Sequence, residues 1–105
     1  MFITMNRIFI NEGYMEAFEE RFRDRAHEVD KMKGFQRNLV LRPKNTDDPY
    51  VVMTFWETEE DFTAWIHSEA FIKGHAKSGT LPKEAFSTDS HLETFDIFLD
   101  TVSER

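Results

Sequence analysis

The chain has 105 residues, of which 40% are hydrophobic and 14% aromatic, and its formal net charge is −7. A chain of this length and apolar content folds with a packed core, which excludes a disordered protein. The absence of cysteine excludes disulfides, thiolate metal sites and a cysteine nucleophile. The negative charge argues against non-specific nucleic-acid binding. We therefore expect a single domain over 1–105, with about 101–105 as a frayed tail.

The sequence shows neither a targeting pattern nor a membrane-spanning pattern. Residues 1–6 lack the basic stretch followed by an apolar stretch that is typical of a signal peptide. No apolar run approaches the roughly 18 residues of a membrane span. We expect a cytoplasmic protein that does not enter membranes.

The first strand is predicted over 2–10, where β-branched and aromatic residues alternate with others. Asn6 falls on the same face as Phe2 and Ile8, so its amide is expected to be at least partly buried. A buried amide without a partner costs about 1–3 kcal/mol. Asn6 is therefore either a structural residue bonded to nearby backbone or a polar group in a cavity.

A long amphipathic helix is predicted from about Tyr14 to Lys31, with Gly34 as its stop. Its apolar arc includes Phe22. Arg25 lies inside this arc and Arg21 on its border. Arginines at such positions usually extend outward along the helix surface. The alternative is that both stand at the rim of a cavity and meet an anion.

Two further strands are predicted over 35–42 and 50–57, joined by the proline-bounded loop 43–49. The second of these carries apolar groups on both faces, with Met53 and Phe55 on one face and Val52 and Trp56 on the other. This pattern indicates a central strand, or a sheet that is covered on both sides.

The stretch 61–75 has the composition of a helix, but its apolar residues do not share one face. One arc of a continuous helix is shared by Phe62, Trp65, Ile66 and Ala70, whereas Phe71 and His75 fall nearly opposite this arc. Ser68 is a good N-cap, so we predict two helices, from about Glu59 to His67 and from about Glu69 to Lys77. Two short helices that meet at an angle can frame a pocket with Trp65 on one and His75 on the other.

The rest of the chain is predicted as a loop over 78–91 and a strand over 91–100. The resulting order, β-α-β-β-α-β, is that of a ferredoxin-like α+β fold with an antiparallel sheet. The helices cover one face of such a sheet. Because the other face would carry apolar residues such as Met53 and Phe55, we expect a homodimer that covers it.

No nucleotide-binding or catalytic-triad signature is present, and the four histidines are not at the spacings of a dedicated metal site. What remains is a predicted cavity between helices and sheet. Each of its residues also has a plain structural explanation, since a lone helical histidine is usually solvated and a tryptophan at helical spacing is usually in the core. The predicted cavity residues are Asn6, Phe22, Trp65 and His75, with Arg21 and Arg25 at its edge.

Together these residues resemble the antibiotic biosynthesis monooxygenase domain of the dimeric α/β-barrel superfamily, and most closely its haem-degrading monooxygenases of the IsdG/IsdI type. The resemblance covers almost the whole chain. Its most specific element is the combination of Asn6, Trp65 and His75. It is also carried by Asn6-Arg7, Glu20-Arg21-Phe22, Gly34-Phe35, Phe62-Thr63-Ala64-Trp65 and Phe71 to His75.

The resemblance implies roles for these residues. His75 would be the proximal ligand of the haem iron, and Asn6 would donate its amide N–H on the opposite, oxygen-binding side. Trp65 would press on the macrocycle and Phe22 would line the pocket. Arg21 and Arg25 would form ion pairs with the haem propionates, as could Lys77 and Lys83.

The implied reaction uses haem as substrate and cofactor, with O2 and electrons from an outside reductase, and it releases iron. Two other interpretations remain open at this point. One is a cofactor-independent oxygenase that holds an aromatic or quinol substrate in the same pocket. The other is a dimeric haem-binding or stress-associated protein without catalysis.

Overall fold

A computed structural model describes residues 1–25, 29–78 and 81–102, and of residues 25 and 74–78 it describes the backbone alone. Four strands form one antiparallel sheet, and three helices lie against it. The strands are β1 (Phe2–Ile8), β2 (Phe35–Leu41), β3 (Tyr50–Trp56) and β4 (His91–Asp96), and the helices are α1 (Met15–Arg25), α2 (Glu59–Ile66) and α3 (Glu69–Ser78).

The strand order is β2-β3-β1-β4, so β1 and β3 are central and β2 and β4 are edges. This is the order of a ferredoxin-like α+β fold, and it confirms the predicted fold class. The register places Asn6 of β1 opposite Val52 of β3, and Thr4 opposite Thr54. Within the described ranges, no helix is long and apolar enough to cross a bilayer.

The helix-facing side of the sheet carries two buried clusters. The first lies between α1 and the ends of β1 and β3, and Tyr50 is 1% exposed within it. The second surrounds Trp56, which is fully buried and meets the rings of Phe35 and Phe62 edge-on at 6.0 and 6.2 Å. The two clusters flank the middle of the sheet, where a cavity remains.

The break predicted at Ser68 is present. The side chain of Thr58 accepts a hydrogen bond from the Asp61 N–H at 3.2 Å, which caps the start of α2. Ser68 accepts one from the Phe71 N–H at 3.1 Å, which caps α3. Both helix starts therefore follow from the capping residues of the sequence.

The predicted long first helix is wrong over Val29–Lys31. Residues 26–28, including His27, lie outside the described part, and Val29–Lys31 is a single turn of 3-10 helix. Val29 is 7% exposed and packs in the Trp56 cluster. Gly34 then turns the chain with a φ of 82°, and a Cβ at this position would overlap the Asp61 carboxylate.

The first and last strands are both shorter than predicted. β1 ends at Ile8, and Ile10 forms a separate bridge to Phe86. β4 ends at Asp96 because its partner β1 begins at Phe2, directly opposite. The prediction of a strand over 97–100 is therefore wrong, although alternation continues there. Residues 103–105 of the predicted tail lie outside the described part.

The connection before β4 is less exposed than a loop assignment suggests. Leu81 and Ala85 are buried in the first cluster, at 8% and 0% exposure. The Asn11 side chain donates to the Glu84 carbonyl at 2.6 Å, and the Asn11 N–H donates to the Ala85 carbonyl at 2.8 Å. These contacts fix the described part of this connection to the end of β1.

Candidate active site

A cavity of about 220 Å³ lies between the helix-facing side of the sheet and helices α2 and α3. Its floor comes from the middle of the sheet and its walls from α1, α2 and α3. The lining residues are Thr4, Asn6, Phe22, Val29, Asn38, Val52, Thr54, Phe62, Trp65, Ile66, Ala70, Phe71 and Leu92. Three of the residues predicted from the sequence, Asn6, Phe22 and Trp65, thus line one cavity.

Asn6 lies on the cavity floor because β1 alternates its side chains between the two faces of the sheet. Its backbone is held in the sheet between Val52 of β3 and Leu92 of β4. Within the described residues, the Asn6 side chain makes no hydrogen bond to the protein, and neither of its polar atoms is sealed from solvent. Its amide is therefore available to a ligand in the cavity.

Trp65 and Phe71 form one wall across the break between α2 and α3. Their rings meet edge-on, with centroids 5.5 Å apart and planes at 81°. Ser68 bonds both helices, since its hydroxyl donates to the Trp65 carbonyl at 2.6 Å and accepts from the Phe71 N–H. The break thus brings onto one cavity two aromatic residues that a continuous helix would place about 120° apart around its axis.

Phe22 forms the opposite wall, and a charged cluster beside it fixes α1 to the sheet. The carboxylate of Glu19 accepts hydrogen bonds from the Arg42 guanidinium, with Nε at 2.7 Å, and from the Tyr50 hydroxyl. Arg23 lies 3.7 Å from the same carboxylate. Because Glu19 and Phe22 are three residues apart on α1, this cluster also fixes the position of Phe22.

The charged cluster changes the protonation of its members. The hydrogen bond from Arg42, and then that from Tyr50, lower the pKa of Glu19 from 4.5 to about 2. Burial, and then the bond to Glu19, raise the pKa of Tyr50 to about 12. The hydrogen bond to Glu19 also raises the pKa of Arg42. Glu19 is therefore ionised and Tyr50 is a donor across the physiological range.

The remaining predicted residues either have side chains outside the described part or do not line the cavity. His75 is on α3, ten residues after Trp65, and its side chain lies outside the described part, as does that of Lys77. Arg21 is exposed on α1 and does not line the cavity, and the Arg25 side chain is outside the described part. Lys83 is exposed on the connection before β4, away from the lining residues.

Sequence reasoning missed a second polar group on the cavity floor. Asn38 of β2 and Thr54 of β3 are directly paired, and the Thr54 hydroxyl donates to Asn38 Oδ1 at 3.0 Å. Alternation along each strand places Asn38 on one face with Val40, and Thr54 on one face with Trp56. The missing signal was the register between the two strands, which brings these faces together.

Comparison with known proteins agrees with the fold. Residues 1–77 match the antibiotic biosynthesis monooxygenase family, and the chain belongs to that family. Over 98 residues it is 35% identical to a mycobilin-producing haem oxygenase of Mycobacterium tuberculosis, covering 93% of this chain and 90% of that protein. Over 78 residues it is 37% identical to a staphylobilin-producing haem oxygenase of Staphylococcus haemolyticus, covering 71% and 73%.

The fold is also similar to that of a solved structure. The M. tuberculosis haem degrader MhuD, with two haems bound in its active site, superposes with a TM-score of 0.75 at 32% identity. The match covers 95% of this chain and 98% of that one. The family resemblance seen in the sequence is thereby confirmed.

Proposed function

We propose that the protein is a haem-degrading monooxygenase, which opens the porphyrin ring with O2 and electrons from an external donor and releases iron. The similarity to two haem oxygenases over most of the chain supports this reaction. The observation that carries it is the side chain of Asn6, which faces a cavity walled by Phe22 and Trp65 and makes no hydrogen bond within the described residues.

The lining residues fit haem as a substrate. The walls are aromatic and aliphatic, which suits the flat apolar faces of a porphyrin, and polar groups are concentrated on the floor. Bound haem supplies the redox chemistry, while the protein supplies binding, orientation and electrostatics.

In the proposed site, each residue has a separate task. His75 on α3 would hold the haem iron through its imidazole. The amide N–H of Asn6, on the sheet side, donates a hydrogen bond where negative charge develops during the reaction. Trp65 presses on the macrocycle and Phe22 closes the opposite wall. Arg21 and Arg25 pair with the carboxylates of the substrate from the edge of α1.

The cellular setting is part of the same proposal. The protein acts as a cytoplasmic homodimer and receives electrons from a reductase. The dimer is supported by the sheet face away from the helices, where the partly exposed Met5 and Phe55 adjoin Met53 in the β1–β3 register. A second copy of the chain, related by a two-fold axis, covers such an apolar face.

Haem titration followed by a reductant tests the proposal. We expect a saturable Soret band at one haem per subunit, and bleaching of that band when ascorbate or a reductase is added in the presence of O2. Absence of haem binding under both oxidising and reducing conditions would overturn the proposal. Binding without bleaching would overturn the enzymatic part of it.

Two histidine variants make the titration specific. His75→Ala is expected to lose the Soret band of ligated haem. The matched control is His67→Ala, since His67 is exposed at the end of α2 and does not line the cavity. Equal loss in both variants would show that the assignment of His75 is wrong.

A further inference from the structure

We infer that Asn38, held by Thr54, is a second anchor on the cavity floor that binds a carboxylate of the substrate and so sets the orientation of the ring. This inference rests on the proposed function and extends it to a part of the floor that the sequence analysis did not single out.

The register of the sheet defines where this anchor lies. Asn38 pairs with Thr54, and Thr54 pairs with Thr4, so the three form a polar row across β2, β3 and β1. All three line the cavity. Asn6 lies in the next row, two residues along β1. With strands about 4.8 Å apart and a rise of about 3.4 Å per residue, the Cα atoms of Asn38 and Asn6 are about 12 Å apart.

The orientation of the Asn38 amide is fixed by its neighbour. The Thr54 hydroxyl donates to Asn38 Oδ1 at 3.0 Å, which leaves the Nδ2 group as the donor. Within the described residues, Asn38 makes no other side-chain hydrogen bond. The floor therefore presents a preorganised N–H donor that no described residue uses.

The position at a sheet edge indicates which group of the substrate it binds. β2 is an edge strand, and Asn38 is partly exposed there. A carboxylate bound at this border keeps part of its hydration, which it would lose in the middle of the cavity. Beyond the end of β2, two guanidinium groups, those of Arg42 and Arg23, surround the single carboxylate of Glu19 next to Phe22.

The orientation of the ring determines which of its bridging positions lies nearest to Asn6. With one carboxylate bound at Asn38, the macrocycle cannot rotate freely in its plane over the floor. Asn38 is therefore a substrate-binding residue that selects the product isomer, and Thr54 is a positioning residue that acts through it.

The experiment compares haem with its dimethyl ester, in which both carboxylates are blocked, on the wild type and on Asn38→Leu. Loss of a hydrogen bond to a charged group is expected to weaken haem binding by about tenfold in Asn38→Leu. With the ester, the two proteins should differ by less than about threefold. Asn38→Asp should weaken haem binding further, because it places two carboxylates together.

The products of turnover provide the second readout. Chromatography and mass spectrometry of the linear tetrapyrroles should show a changed isomer ratio in Asn38→Leu, and a smaller change in the same direction in Thr54→Val. Gln36→Leu is the matched control, since Gln36 is an exposed amide on the same strand and does not line the cavity. Its isomer ratio should equal that of the wild type.

The outcomes separate this inference from the proposed function. If Asn38→Leu weakens binding of haem and of the ester equally, or leaves both the affinity and the isomer ratio unchanged, the anchor does not exist. If the wild type itself does not bind haem, the proposed function fails first. Thermal unfolding of each variant shows that the comparison is made between folded proteins.

Discussion

The Ser68 hydroxyl donates to the Trp65 carbonyl at 2.6 Å, so the residue that caps α3 is bonded to a residue of the cavity wall. The same hydroxyl accepts from the Phe71 N–H at 3.1 Å. One small side chain therefore ends α2, caps α3 and fixes the angle at which Trp65 and Phe71 meet.

Replacement of Ser68 by alanine should loosen this corner. Loss of an N-cap costs about 1 kcal/mol, so the midpoint of thermal unfolding should fall by roughly 4 °C. Haem affinity should fall by a few-fold, because the wall at Trp65 is less well held. Calorimetry and Soret titration measure the two effects. Ser68→Thr keeps both hydrogen bonds and should behave like the wild type; equal losses in both variants would contradict the capping argument.

Replacement of Asn6 should lower the turnover rate much more than it lowers haem affinity. In Asn6→Ala, haem affinity is expected to stay within about threefold of the wild type, because aromatic walls dominate binding. Turnover should fall at least about tenfold, since a preorganised donor at a site of developing charge contributes that much or more. Single-turnover bleaching of the Soret band measures the rate.

A second asparagine, Asn11, which follows β1, provides the control for Asn6. The Asn11 amide already donates to the Glu84 carbonyl at 2.6 Å, so it is structural. Asn11→Ala should lower the unfolding temperature and leave the turnover rate per bound haem unchanged. If Asn6→Ala behaves in this way, Asn6 is structural as well.

Much of this arrangement was predictable because it depends on local sequence. The phase conflict between Trp65 and Phe71 predicted a helix break, and the capping residue Ser68 predicted its place. Both are confirmed. The two-residue alternation of β1 likewise placed Asn6 on the helix-facing side. These features depend on dihedral preferences and periodicity within about ten residues, which a sequence displays directly.

The features that were not predictable depend on partners far along the chain. The strand predicted over 97–100 fails because the pairing of β4 with β1 ends at Asp96, which lies opposite Phe2 at the start of β1; beyond it, the Ile97 N–H donates to the Met1 carbonyl. The contact of Asn38 with Thr54 depends on the register between β2 and β3, which includes a bulge between Phe35 and Arg37. Propensity within one strand carries no information about register.

The apolar sheet face away from the helices predicts a homodimer, and the mass of the protein in solution tests this. Met53 pairs with Met5 and with Leu39 on this face, and Phe95 at its edge is 42% exposed. Met53→Glu should convert a dimer to a monomer at micromolar concentration, because a charge cannot be buried there without a partner. Sedimentation velocity gives the mass.

The control for the dimer places the same charge elsewhere. Ala64 is exposed on α2 and does not line the cavity, so Ala64→Glu should leave the mass unchanged. A wild type that sediments as a monomer, or a Met53→Glu variant that keeps the mass of a dimer, would show that this face is not the dimer interface.

The charged cluster beside Phe22 predicts a pH dependence of stability. Hydrogen bonds from Arg42 and Tyr50 lower the pKa of Glu19 from its ordinary 4.5 to about 2 in the folded protein. The folded state thus favours the carboxylate. Its contribution to the free energy of unfolding is fully present above about pH 4.5 and is lost as the pH falls through about 2.

Glu19→Gln should therefore lower the free energy of unfolding by about 1 kcal/mol at pH 7, a modest value because both arginines are largely exposed to solvent. The difference between variant and wild type should shrink as the pH is lowered from about 4.5 towards about 2, because the wild-type carboxylate is then protonated as well. Urea unfolding followed by tryptophan fluorescence, repeated across this range, measures it. Glu20→Gln, an exposed carboxylate on the same helix, should change the free energy by less than about 0.5 kcal/mol. A Glu19→Gln effect that is independent of pH would mean that packing, and not the charge of Glu19, holds α1 and Phe22 against the sheet.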